Sequence, residues 1–203
     1  MIPRSAAAGS VTGIVLAGGR STRFGRDKLR EPYRGAPLLH HAVLALSQVC
    51  GEVLVTLAPH DVRPALPAGV PLLVQHDLVE GEGPLAALAA ALPNVTSETV
   101  LLAAGDMPEL SPPVLLELVR TLGESGADGA TLRDGDRVRP LPVALLVRRV
   151  RPVAAALVRD GERRLRTLLD ALRIAAIDEV TWRSLDPDGR TLFDVDTPAD
   201  LSR

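Results

Sequence analysis

The sequence predicts an α/β protein, one domain built on a mostly parallel sheet. Three observations carry that prediction. At 203 residues the chain is long enough for one domain with a sizeable core and does not require a second. Four short runs are apolar on both faces, as strands covered by helices on each side must be. Longer stretches of helical period separate them, which is the pattern of parallel strands joined by crossover helices.

The strands expected in order are VTGIVLA (11–17), EVLVTLA (52–58), PLLVQH (71–76) and TVLLAA (99–104). Between and after them, PLLHHAVLALSQVC (37–50), GPLAALAAAL (83–92) and SPPVLLELVRTLGESG (111–126) read as helices. The last is the clearest, with Ser111 as N-cap, Pro112 at the first helical position and Gly126 at the C-terminal end. Beyond residue 127 the pattern loosens. ADGATLRDGDRVRPLPVALLVRR (127–149) suggests two strands around an Asp134-Gly135 turn, and RRVRPVAAALVRDGERRLRTLLDAL (148–172) suggests two arginine-rich helices broken at Gly161. TLFDVDTPADL (191–201) reads as a short strand and a terminal helix begun at Thr197-Pro198. With no internal repeat and no low-complexity linker, the economical arrangement is residues 1–10 as a floppy tail and one domain over 11–203. Its first half, 11–126, forms the sheet, and 127–203 forms an appendage on the substrate side.

Composition narrows the function. Aromatic residues make up 2% of the chain, so base stacking on rings is not its means of binding. A net charge of −2 gives no general attraction to nucleic acid or to an anionic membrane, so any anion site must be local. Cys50 is the single cysteine, which excludes an intramolecular disulfide and a multi-cysteine metal site and points to a cytoplasmic protein. The first ten residues lack the apolar stretch of a secretory signal, and no window approaches the roughly 20 apolar residues of a membrane span.

The stretch LAGGRSTRFGRDK (16–28) holds Lys28, the one lysine among 23 basic residues. The loop leaves the first strand at its carboxyl end, where open α/β sheets bind ligands. Its glycines admit an anion close to the backbone, and Arg20, Arg23, Arg26 and Lys28 offer positive charge. Its spacing is neither GxxxxGK[ST] nor GxGxxG. Lysine is a compact point charge where arginine is a rigid fork, so a position that stays lysine against a strong arginine bias is one that needs an ammonium. Asp106, in LLAAGDMPEL, follows another apolar strand at the same sheet end. Ser111 already fills the capping role nearby, which leaves Asp106 for a hard cation such as Mg2+, held by one or two carboxylates together with substrate phosphates. In DVDTP, Asp194 and Asp196 would point to one face of a strand, and two like charges so close are best tolerated with a cation between them.

These residues resemble the bacterial molybdenum cofactor guanylyltransferases. LAGGRSTRFGRDK is similar to that family's LAGGxSxRMGxDK, with Phe24 for methionine. GPLAAL (83–88) resembles its GPLAG, GDMP (105–108) its Asp-x-Pro metal motif, GERR (161–164) its GERR, and DVDTPADL its NxNTPEDL. The likeness runs from about residue 11 to 203. It implies a Rossmann-like, three-layer fold of the nucleotide-diphospho-sugar-transferase type, and a Mg2+-dependent transfer of GMP from GTP to molybdopterin or its molybdenum form, releasing pyrophosphate. It implies that Leu16, Ala17, Gly18 and Gly19 line the nucleotide, that Lys28 binds its phosphates with Arg23 assisting, that Asp77 contacts the nucleotide, and that Asp106 touches both GTP and Mg2+, helped by Asp194 and Asp196. Arg163 and Arg164, in the second half, are assigned to the anionic acceptor. Molybdenum-insertion enzymes and molybdoenzyme chaperones are the implied protein partners. Ala87 stands where the family has glycine, and the family's His-Pro has no histidine here, Arg139 and Pro140 lying in its place. A sister nucleotidyltransferase acting with CTP, on a sugar phosphate or on phospholactate, and a non-catalytic GTP-binding module, are the alternatives.

Overall fold

The computed structural model describes residues 11–18, 24, 27–59, 64–76 and 83–202. The four expected strands form as β1 (Val11–Leu16), β4 (Glu52–Leu57), β5 (Leu72–His76) and β6 (Thr99–Ala104). A two-residue hairpin absent from the sequence reading, β2 (Pro32–Tyr33) and β3 (Ala36–Pro37), precedes α1 (Leu38–Ser47). Next come α2 (Gly83–Ala91) and α3 (Pro112–Ser125). The second half supplies β7 (Gly129–Asp134), β8 (Arg137–Leu146), α4 (Val147–Arg159), α5 (Leu165–Asp170), β9 (Ile174–Ile177) and α6 (Glu179–Leu185).

Among the described residues seven strands make one sheet, ordered β5-β4-β1-β6-β8-β7-β9. All pairings are parallel except the two that β8 makes, with β6 and with β7. The second half is therefore a continuation of the sheet and not an appendage on it. The apolar inner faces of β7 and β8 extend the one begun by β6, and burying them there removes the exposed edge that β6 would otherwise present.

Alternation along β1 sends Val11 and Val15 to one side and Ile14 and Leu16 to the other. Val11 and Val15 join α1 and α3 in one core, and Ile14 and Leu16 join α2, α4 and α5 in a second. The sheet is thus the middle of three layers, as the apolar runs require. Among the described residues, no helix is long and apolar enough to cross a membrane.

Several local expectations are corrected. Ser111 occupies the N-cap position of α3, but its side chain makes no capping bond. Pro112 and Pro113 have no N–H to satisfy, which weakens the demand for a cap, and the backbone N–H of Ser111 itself donates to Thr191 Oγ1 (3.1 Å). The chain turns between α4 and α5 at Gly161, φ +88°, so GERR is a loop and not part of a helix. DVDTP is irregular rather than a strand, followed by a 3-10 turn over Pro198–Ser202. Its donors go elsewhere than a ladder. The N–H of Asp196 and the N–H and hydroxyl of Thr197 donate to the Asp200 carboxylate, and the N–H of Val195 donates to the Asp106 carbonyl (2.9 Å).

Candidate active site

The site is assembled at the carboxyl edge of β1 and β6. These neighbours pair in register up to Leu16 and Ala104, and Gly105 N–H then donates to Leu16 O (2.9 Å), so the two chains leave the sheet side by side. Leu16 and Ala17 turn their side chains into the core, while Gly18 is exposed. What residues 16–18 can offer a ligand is therefore main chain.

Lys28 begins a 3-10 turn, Lys28–Arg30, whose N-cap Asp27 accepts from Leu29 N–H (3.1 Å). The turn aims the ammonium at the end of β6. Lys28 Nζ donates to Asp106 Oδ2 at 2.6 Å and to the carbonyl of Val195 at 2.8 Å. Because Val195 also donates to the Asp106 carbonyl, the three residues close a ring that joins the glycine loop, the end of β6 and DVDTP. Apolar packing supports it. Phe24, in the middle of the loop, is buried in a small cluster with Tyr33, Leu38 and Val195. That is the role open to any large apolar side chain at position 24.

The two aspartates beside Val195 complete the charge pattern. Burial pushes the Asp194 carboxyl up to about 6, and the negative charges of Asp106 and Asp196 add to that, against the opposing charges of Arg139 and Lys28. The charges of Asp106 and Asp196 thus both reach Asp194. The three aspartates do not form a closed cage: among the described residues, no group of three His, Cys, Asp or Glu side chains is arranged to hold a metal ion. Such an open set of carboxylates suits a hard cation that takes its remaining ligands from water and phosphate.

A second assembly of motifs lies at the same edge. The N–H of Leu85, in GPLAAL, donates to the carbonyl of Arg163, in GERR (3.2 Å). Gly83, φ +83°, permits this approach, since a Cβ there would meet Arg163 O at 3.0 Å. Glu162 fastens the loop from within by accepting from Arg163 N–H, Arg164 N–H and the Thr167 hydroxyl. Those bonds, with the side chain of Arg164, hold its carboxyl far below the usual carboxylate range. Arg163 and Arg164 are therefore loop residues beside the start of α2.

The structure thus joins Lys28, Asp106 and Val195, sets Asp194 within reach of their charges with Asp196 exposed two residues on, and places Arg163 and Arg164 in the neighbouring loop. Gly19, Arg23 and Asp77 lie outside the described residues. His40, His41 and His76 each face a backbone carbonyl, of Ala65, Tyr33 and Ala58, as structural histidines do. Sequence reasoning missed Glu109, three residues beyond Asp106, which accepts from Tyr33 Oη, from Arg34 (2.8 Å) and from Arg190 (2.8 Å). It ties the hairpin and the turn before DVDTP to the segment carrying Asp106. The signal was present in GDMPEL as an acidic residue beside the motif.

Known proteins resemble this chain over most of its length. Residues 13–177 match the MobA-like NTP transferase domain. The chain is 33% identical over 196 residues to a Chloroflexus aggregans protein named "Probable molybdenum cofactor guanylyltransferase", covering 94% of this chain and 91% of that protein. A Mycobacterium tuberculosis protein of the same name is 37% identical over 177 residues, covering 83% and 85%. The fold is shared with the crystal structure of molybdopterin-guanine dinucleotide biosynthesis protein A from Archaeoglobus fulgidus, at TM-score 0.75 and 23% identity over 95% of each chain. The match spans both the glycine loop with Lys28 and the strand that delivers Asp106, and by it the chain belongs to the MobA-like NTP transferase family, as a nucleotidyltransferase.

Proposed function

We propose that this nucleotidyltransferase moves GMP from GTP onto the phosphate of molybdopterin or its molybdenum form, releasing pyrophosphate. One observation carries the reading: the Lys28 ammonium is held between Asp106 and Val195 at the carboxyl edge of the sheet, in a chain similar throughout to proteins named for that transfer. An acceptor phosphate oxygen attacks the α-phosphorus, the bond from the α-phosphorus to the bridging oxygen breaks, and pyrophosphate leaves with the electron pair. No protein nucleophile is needed, so the chain contributes position and charge.

Lys28 neutralises charge on the nucleotide phosphates, with Arg23 as its helper in the loop. Main chain at Leu16, Ala17, Gly18 and Gly19 lines the nucleotide, and Asp77 contacts it. The oxygen donors suit a hard divalent cation: the Asp194 carboxyl is raised first by burial and then by the negative charges of Asp106 and Asp196, and a cation would relieve the second of these. Asp106 would hold Mg2+, helped by Asp194 and Asp196, and the bound ion would offset the charge of the two phosphates as they approach. Arg163 and Arg164 serve the anionic acceptor, through the loop that touches α2.

The test is pyrophosphate release with each of the four ribonucleoside triphosphates, with and without molybdopterin. Release with GTP that depends on molybdopterin is expected. Preference for CTP, or transfer to a sugar phosphate instead, would replace this reading with that of a sister enzyme, and GTP binding without release would make the protein a binding module.

A further inference from the structure

The site has a further cation, Arg139, noted in the sequence only as standing in the place of a histidine. β8 runs antiparallel to β6, pairing Thr99 with Leu146 through to Leu102 with Val143. Past Val143 the ladder with β6 ends and β8 shifts register against β7, and Arg139 lies in that stretch, beside Asp194 of the site. The Arg139 backbone is fixed there, since Thr131 Oγ1 donates to its carbonyl. Its guanidinium is far less well satisfied. It faces Asp194 (Nη2 to Oδ2, 4.0 Å) and Asp134 (Nη1 to Oδ2, 3.9 Å), and both separations exceed hydrogen-bond length. Nε is buried and finds no hydrogen-bond partner among the described residues. A guanidinium carries five N–H donors in a planar fork that matches an anionic phosphate. Buried donors without partners are rare because each costs desolvation that nothing returns. Arg139 is therefore held at the site with its hydrogen-bonding capacity underused.

Its side of the site identifies the ligand. In the order β1-β6-β8, Asp106 at the end of β6 has the glycine loop and Lys28 on the β1 side and Arg139 on the β8 side. A nucleotide phosphate at Lys28 and a second phosphate at Arg139 would lie on opposite flanks of Asp106. We propose that Arg139 is an acceptor-binding residue, whose fork takes the phosphomonoester of the acceptor while Lys28 takes the nucleotide. This rests on the transfer proposed above. An arginine suits this role, since its fork engages a phosphate through two parallel hydrogen bonds.

The experiment compares wild type with Arg139→Gln and Arg139→Lys. At saturating GTP, Arg139→Gln should raise the apparent KM for molybdopterin about 10- to 100-fold, the loss expected for hydrogen bonds to a charged group, and leave the KM for GTP within about twofold. Arg139→Lys keeps the charge but not the fork and should recover part of that loss. An unchanged KM for molybdopterin, or an equal rise for GTP, overturns the proposal. Arg139→Met takes the place of the glutamine variant if that one does not fold. In a second arm, inorganic phosphate is added to protein saturated with a non-hydrolysable GTP analogue. It should raise the melting temperature of wild type and not of Arg139→Gln, and equal rises count against Arg139. Absence of GMP transfer by wild type would refute the transfer itself, and the phosphate arm would still decide the role of Arg139.

Discussion

The Lys28–Asp106 pair permits a quantitative test. Its atoms are 2.6 Å apart, and the side chains are only 18% and 23% exposed. Exposed pairs of this type couple by about 0.2–1 kcal/mol, whereas removing one partner of a fully buried pair costs about 3–5 kcal/mol, most of it the stranded charge. Discounted for the remaining solvent, a coupling of about 1–3 kcal/mol is expected. The assay is a double-mutant cycle of Lys28→Met and Asp106→Asn, by urea unfolding of the ligand-free protein at neutral pH. The cycle isolates this pair from the other contacts of both residues. In the same set, Lys28→Met should lower turnover by two or more orders of magnitude, the scale of lost charge stabilisation in a transition state. Lys28→Arg should restore little of either, because the compact ammonium meets a carboxylate and a carbonyl at 2.6 and 2.8 Å and a planar fork needs more room. A coupling below about 0.3 kcal/mol, or full activity of Lys28→Arg, would refute the reasoning.

Three further outcomes are expected. Asp106→Asn should cost at least about 100-fold in turnover and Asp196→Asn less than about tenfold, since the resemblance puts asparagine at position 196; equal losses in steady-state assays would sink the proposed division of labour. Gly83→Ala should lower stability by about 1–3 kcal/mol, because alanine is strained at φ +83° and its methyl would press on the Arg163 carbonyl at 3.0 Å; an unchanged melting temperature would show that the two loops do not touch. Glu162 has its carboxyl lowered in the folded protein by its bonds to Arg164, Thr167 and the backbone, so it stabilises the fold above its ordinary value of 4.5 and loses that contribution as pH falls below it. The stability difference between wild type and Glu162→Gln should therefore shrink from pH 6 to pH 3, and a constant difference would contradict the assignment.

The first half of the fold was legible because β1, β4 and β6 are buried on both faces and so read as apolar runs, while the edge strand β5, half-exposed, is still marked by its LLV. β9, of sequence IAAI, and α6 were not, since four residues with two alanines carry too little pattern to separate strand from helix. The Asp134-Gly135 turn gave away the β7–β8 hairpin, but not that it pairs beside β6. That choice depends on edge burial, which no local pattern records. The same holds at the site. Lys28 and Asp106 were recognisable as strand-end groups of opposite charge, because position at the carboxyl edge follows from strand order alone. Val195 was invisible, because it acts through its backbone, and an apolar side chain says nothing about where its carbonyl points. DVDTP was read as a strand but is irregular, and its two aspartates flank a main-chain bridge at Val195 and do not share a pleat.

The bond from Lys28 to Val195 joins residues 167 positions apart. At about 5–20 residues per second of synthesis, roughly 10–30 s separate their emergence at the ribosome. Through that interval the nascent chain carries Lys28 and then Asp106 without the carbonyl that later accepts from the lysine, so this closure forms late in translation. A chain released before residue 195 would keep most of its sheet and none of this closure.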